Sequence, residues 1–189
     1  MARPREFDPD AALEGAMQVF WSMGYEGASL PDLLDGMALT RGSFYKAYVS
    51  KKATFHQALL RYDAQIVDVA VLGLNDEAEP DGLNRIEALF RSVTDAVRNG
   101  DVRGCLLCTT GADPSYVSAE IKTVTHDLLD KMRAGFRNAL VATPHVKQAE
   151  QMSDLLLTNY TGLRILARAQ VPVEQLEQSV ASLMTVLRS

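Results

Sequence analysis

Residues 40–52 gather hydrogen-bond donors and positive charge at close spacing. The run Thr40-Arg41-Gly42-Ser43-Phe44-Tyr45-Lys46 is followed by Lys51 and Lys52. A guanidinium fork such as that of Arg41 can grip a phosphate or a guanine edge through two donors. The hydroxyls of Thr40, Ser43 and Tyr45 can bond phosphate or base, and Lys46 adds a longer-range charge. Gly42 offers a surface without a side chain, which lets another backbone or a duplex come close. This is the chemistry of anion recognition, not of bond making. No Asp or Glu occurs from Gly36 to Tyr62, whereas the same stretch holds Arg41, Lys46, Lys51, Lys52 and Arg61. The 189-residue chain as a whole carries a net charge of −5. One basic stretch in an acidic chain suits a polyanion met by a single face.

A second candidate is Cys105-Leu106-Leu107-Cys108. A Cys-x-x-Cys pair can bind metal, form a disulfide or react with electrophiles. With no other cysteine in the chain, and with His126 and His145 distant in sequence, a four-ligand zinc site lacks partners. Two buried core thiols, a thiol-based sensor and an unreactive pocket wall all remain open readings. No Gly-rich phosphate loop, metal-spaced ligand set or nucleophile elbow is found, so an enzyme is not expected, and neither is a metal or cofactor.

The elements that must hold these residues are helices, because apolar residues recur at helical spacing and alternating patterns are almost absent. Asp8-Pro9 opens a first helix, carrying Ala12, Leu13, Ala16, Met17 and Phe20 on one face and ending at Gly24. Ser29 caps a short helix from Leu30 to about Met37, and Thr40 caps another to about Ala47. A fourth starts near Lys51 with Phe55, Ala58, Leu59, Tyr62 and Ile66 in step. The acidic, proline-containing segment Asn75 to Asp81 reads as a linker. Beyond it, helices are predicted from Leu83 to about Asn99, from Asp113-Pro114, from Thr143-Pro144 with Leu156, Tyr160, Leu163 and Leu166 on one side, and after Pro172. A short apolar piece, Gly104 to about Thr110, lies between the first two.

Two short helices behind a longer one match a helix-turn-helix, whose second helix enters the major groove. Over about 50 residues the N-terminal segment resembles the tetracycline-repressor (TetR) family. The match is carried by Ser29, Leu33, Leu39, Thr40, Arg41, Gly42, Ser43, Phe44, Tyr45, Tyr48, Ser50 and Lys51, together with Phe20, Gly24, Tyr25 and Ala28. Two positions depart from the family pattern. Ala38 stands where glycine is common in the turn, and Gly36 stands where alanine is common. A left-handed residue at Ala38 would be strained by about 1 kcal/mol.

The resemblance implies an all-α fold of about nine helices. A three-helix DNA-binding domain would occupy residues 1–50, and a ligand-sensing and dimerisation domain residues 51–189. It implies DNA contacts from Ser29, Thr40, Arg41, Gly42, Ser43, Tyr45, Lys46, Tyr48, Lys51 and Lys52, with Arg3 and Arg5 in a short N-terminal arm. Candidate pocket walls are Phe90, Cys105, Cys108, Tyr116, His126, Met132, Phe136, Met152 and Tyr160. Partners would be a double-stranded operator, a small-molecule effector and a second copy of the chain, paired through the last two helices. The run Leu155-Leu156-Leu157, apolar on more than one side of its helix, supports that pairing independently. Two recognition helices roughly 34–36 Å apart would then call for a near-palindromic operator. The expected activity is that of a repressor released by its effector. A thiol-based redox or electrophile sensor using Cys105 and Cys108 is the alternative, and a helical interaction module without DNA binding is another. No membrane span or apolar signal core is found, and a cytoplasmic location is expected.

Overall fold

The computed structural model describes residues 7–112 and 118–189. Arg3, Arg5, the Asp113-Pro114 helix opening and Tyr116 lie outside the described residues. The described residues are all-helical, with nine helices and no strand.

Local chemistry starts the front helices. In α1 (Pro9–Gly27) the Asp8 carboxylate accepts from the Asp10 N–H at 2.9 Å, with proline in the first turn. The helix kinks at Gly24, φ 75°, and continues one turn beyond the end predicted for it. Ser29 and Asp32 form a reciprocal capping box at α2 (Leu30–Gly36). Thr40 caps α3 (Arg41–Tyr48), accepting from the Ser43 N–H at 3.2 Å. Between them Ala38 takes φ 52°, the left-handed turn expected there. α4 is one rod over 51–74. It is α-helical over Lys51–Tyr62, widens to a π-helical segment over Asp63–Val67, and is α-helical again over Asp68–Leu74. Lys131 bridges both ends of the widened segment, 2.6 Å from Asp63 and 2.5 Å from Asp68.

The back half follows as α5 (Gly82–Arg98), α6 (Leu106–Ala112), α7 (Ala119–Val141), α8 (Ala149–Arg168) and α9 (Val173–Arg188). Ser118 caps α7. Thr143-Pro144 does not open α8. The Thr143 hydroxyl accepts from the His145 N–H at 3.1 Å and donates to the Leu140 carbonyl at 2.7 Å, which favours a turn. A 3-10 turn over Val146–Gln148 then leads into the helix.

Two apolar clusters meet along α4. At the front, Met17 and Phe20 of α1, Leu33, Phe44 and the α4 residues Phe55 and Leu59 are closed to solvent. Phe20 meets Phe55 edge-on at 4.8 Å between centroids. At the back, Leu74, Ile86, Leu106, Phe136 and Leu156 are buried. α5 begins where α7 ends, so close that a Cβ on Gly82 would lie 1.9 Å from the Ala139 carbonyl oxygen.

Candidate nucleic-acid interface and sensing cavity

Helix α3 presents its cations outward. Arg41, Lys46 and Lys52 are exposed, and among the described residues none of the three forms an ion pair. Tyr45 is half exposed, its ring edge-on to the buried Phe44 at 5.4 Å, which fixes its direction while leaving the hydroxyl end free to reach outward. Thr40, Gly42 and Ser29 are exposed and Ser43 partly so. Adding a Cβ to Gly42 would meet nothing within 4 Å, so nothing inside the protein requires a glycine there. Lys51 is partly buried, its Nζ 4.5 Å over the Tyr25 ring.

Tyr48 corrects the sequence expectation. Its side chain is buried, the ring stacks on Phe44 at 6.0 Å, and the hydroxyl donates to the Pro9 carbonyl at 3.2 Å. It fastens α3 to the start of α1 and does not face outward with Arg41 and Tyr45.

A cavity of about 420 Å³ lies between the far half of α4, α5, the turn before α6, and α8. That is within the usual range of small-molecule sites. Its walls are mostly apolar (Ile66, Ala70, Leu89, Val93, Ala167), with Trp21 of α1 at one end. The polar wall is built around Gly104. The Gly104 carbonyl accepts from the Trp21 indole N–H at 3.0 Å and from Arg164 Nε and Nη2 at 3.2 and 2.6 Å. Arg164 Nη1 also reaches the Tyr160 hydroxyl at 3.0 Å. A side chain on Gly104, which sits at φ 71°, would meet the Arg164 carbonyl oxygen at 2.6 Å. Arg103 lies over the Trp21 ring at 3.8 Å and pairs with Asp101 at 2.6 Å. One turn beyond Arg164, Arg168 donates to the Trp21 and Ser22 carbonyls at 3.1 and 2.9 Å, close to the kink in α1. Arg103 and Arg168 thus tie the cavity wall directly to the first helix, and Arg164 does so through the Gly104 carbonyl it shares with Trp21.

The cysteines sit just behind this wall. Cys105 is buried and its sulfur accepts from the Tyr62 hydroxyl at 3.9 Å. A hydrogen bond from Cys108 holds the Cys105 thiol below its ordinary pKa against the effect of burial, and the charge of Arg164 acts the same way. The Cys108 thiol is pushed up correspondingly, by donating to Cys105 and by burial. Both thiols are free.

Of the predicted pocket residues, the structure brings Tyr160 to the main cavity. Cys105, Met132 and Tyr160 meet around a narrower one of about 20 Å³. Phe90 instead borders a groove between α8 and α9. Phe136 is closed off in an aromatic cluster, 6.1 Å from Phe90 and 5.9 Å from Tyr160, and acts as core. Met152 packs half-buried against the core, and Cys108 is partly buried beside Cys105. His126 corrects the expectation outright: it is exposed on α7, because its neighbours Thr125 and Leu128 occupy the buried side of that helix. His56 lies 3.6 Å from Glu120, and His145 bonds the Leu187 carbonyl at 2.6 Å. Among the described residues no His, Cys, Asp and Glu group could hold a metal ion. Sequence reasoning missed Trp21, Arg85, Arg103, Arg164 and Arg168. The signal was the i, i+4, i+8 row Tyr160-Arg164-Arg168, which puts charge on the side of α8 that also carries buried Leu156, Leu163 and Ala167.

Among the described residues, an all-helical fold whose α3 turns unpaired cations outward, with a separate cavity behind it, has the arrangement of helix-turn-helix regulators. No protein-family model matches the sequence. The chain is 27% identical over 183 residues to the HTH-type transcriptional repressor ComR of Escherichia coli (strain K12), covering 93% of this chain and 87% of that protein. It is 24% identical over 175 residues to the HTH-type transcriptional repressor BdcR of the same strain, covering 92% and 86%. A cysteine-substituted variant of the TetR family transcriptional regulator CifR, solved with 26-base-pair double-stranded operator DNA, superposes with a TM-score of 0.78 at 29% identity, covering 97% of this chain and 98% of that one. In fold and in sequence the chain resembles TetR family transcriptional regulators along nearly all of its length. No helix among the described residues is long and apolar enough to cross a membrane.

Proposed function

We propose that this protein is a transcriptional repressor that binds a near-palindromic operator as a homodimer and is released by a small molecule held in the cavity beside Arg164. The observation that carries the reading is the exposed α3 surface of Arg41, Tyr45 and Lys46, whose cations pair with no carboxylate among the described residues. Arg41 and Tyr45 would meet base edges and phosphates, with Ser29, Thr40, Gly42, Ser43, Lys46, Lys51 and Lys52 on the flanking backbone. Dimerisation through α8 and α9 is supported by the exposed Leu155, Ile165 and Leu166 of α8 and Val186 of α9. Gly162, in the groove between these helices, has open space above it that a close-packed partner helix could fill.

Release would follow from the arginine wall. Trp21 and Arg164 share the Gly104 carbonyl, and Arg168 holds the Trp21 and Ser22 carbonyls. A ligand that draws Arg164 or Trp21 into the cavity changes how α1 is anchored, and α1 carries α2 and α3. Effector and operator would then favour different arrangements of one molecule, a coupling that acts in both directions. The test is a gel shift with DNA from upstream of the protein's own gene. Binding that weakens steeply with salt is expected, because each phosphate contact contributes to the salt slope. Failure to retard that DNA at low salt would remove the reading.

A second reading has its own observation. Cys105 lies within reach of the Tyr62 hydroxyl, with Cys108 and the charge of Arg164 beside it, surroundings that favour a thiolate. On this reading oxidants or electrophiles acting at Cys105 release the operator, and Cys105→Ser abolishes that release while leaving the untreated protein's affinity unchanged. Release that persists in Cys105→Ser removes it.

A further inference from the structure

We propose that the ligand taken by the 420 Å³ cavity is a small organic acid, a carboxylate head group on an apolar body, recognised by Arg85. This rests on the regulator reading above and names the class of its effector. Arg85, on α5, lines the cavity, and its Nε is buried with no hydrogen-bond partner. Among the described residues its side chain makes no ion pair or hydrogen bond at all. Arg85 is only partly buried, so its remaining guanidinium nitrogens are the ones a ligand can meet; an unpaired guanidinium in the wall of a mostly apolar cavity points to an anion supplied from outside the chain.

The remaining charges sharpen the class. Two guanidinium groups line the cavity, Arg85 and Arg164, and Arg164 hydrogen-bonds the Gly104 carbonyl and the Tyr160 hydroxyl with the Cys105 thiol nearby. The one carboxylate in the lining, Asp101, is already gripped by Arg103 through two hydrogen bonds of 2.8 and 2.6 Å. Arg164 has the Cys105 thiol behind the wall to favour its charge, so among the described lining residues Arg85 is the guanidinium left without a counter-charge. An amine would be repelled, and a neutral polar group would leave Arg85 without a counter-charge. A planar guanidinium matches a carboxylate through paired donors. Ile66, Ala70, Leu89 and Val93 offer the surface for the apolar body.

The sole tryptophan, Trp21, borders the cavity and reports occupancy without DNA. The experiment titrates the full-length protein with octanoate and with 4-cyclohexylbutanoate, each beside its primary amide and its amine, following Trp21 fluorescence. The carboxylates should bind at least tenfold tighter than the amides, and the amines should not bind. Arg85→Met should bring the carboxylates down to the level of the amides, and Arg85→Lys, which keeps the charge but loses the fork, should fall between. Circular dichroism of both variants should match the parent. Amides binding as well as carboxylates, an unchanged carboxylate affinity in Arg85→Met, or silence towards every head group would each overturn the proposal. A gel shift run in parallel separates the two layers. Carboxylate binding by a protein that ignores its upstream DNA would sink the regulator reading alone, and operator binding without carboxylate selectivity would sink this one alone.

Discussion

The front and back of this molecule both bring backbones into close approach, Gly15 against Gly36 in the one and Gly82 against Ala139 in the other, but they differ in how consistently their helices are capped. In the first 50 residues nearly every turn is fixed by a side chain within a few positions of it. Asp8, Ser29, Thr40 and Ser50 each cap the helix that follows. In the back, Asp81 and Ser118 cap α5 and α7, but α8 and α9 start without any side-chain cap and rest on contacts with distant elements. Gly82 lies against Ala139, and Gly104 lies against Arg164. The difference suits the proposed division of labour. A recognition helix must hold its shape whatever happens elsewhere, whereas a sensing domain must let contacts between remote elements change when a ligand arrives.

The sharpest way to break this comparison is in the back. Gly82→Ala drives a Cβ into the Ala139 carbonyl, a backbone atom that cannot swing away. Overpacking of this kind should cost about 3 kcal/mol of stability, read as a lower urea midpoint with little change in slope. If Gly82→Ala unfolds at the parent's midpoint, the back is not organised by backbone proximity.

At the front the equivalent disruption should leave the fold alone. Arg41 is exposed and makes no ion pair among the described residues, so Arg41→Ala should shift the unfolding midpoint negligibly. Operator affinity should nevertheless fall about tenfold or more, in line with the roughly 1–3 kcal/mol of a bidentate base contact. Tyr45→Ala should behave in the same direction. Fluorescence anisotropy on a labelled operator fragment checks both, and parental affinity in the pair would mean that another face of the protein meets DNA.

These contrasts also explain how much was legible in the sequence. The caps are local signals, so the three front helices follow from residue types and spacing, whereas the left-handed Ala38 is expected only from the resemblance, which places glycine in that turn. Tyr48 was misjudged because its pattern position does not reveal that its hydroxyl would find Pro9, 39 residues away. The cavity wall was illegible for the same reason on a larger scale. Arg164 meets Gly104 across 60 positions and Arg168 meets Trp21 across 147. Periodicity places a residue on a face of its helix, but it does not say which other helix covers that face. Leu166, expected on the packed side of α8, is 44% exposed, whereas the charged Arg164 is turned into the cavity wall.

A smaller effect tests the local half of the comparison. Thr40→Ala removes the oxygen that accepts from the Ser43 N–H and should cost about 1 kcal/mol. Thr40→Ser, which keeps that oxygen, should recover most of it. A loss equal in both variants would mean that the Thr40 methyl, and not the cap, matters at this position.

The smallest effect concerns the turn itself, and its sign is the informative part. Ala38 holds φ 52°, a conformation that costs an L-residue roughly 1–2 kcal/mol. Glycine would remove that cost but would lose more chain entropy on folding, about 0.5–1 kcal/mol. The strain term is the larger, so Ala38→Gly should stabilise the protein by about 0.5 kcal/mol, visible as a small rise in the urea midpoint. Operator affinity should stay at the parental value, because relieving strain in the turn leaves the outward direction of Arg41 and Tyr45 unchanged. A loss of affinity alongside the gain in stability would reveal that the strained alanine stiffens the turn between α2 and α3, and that the recognition helix depends on that stiffness to hold its approach to DNA.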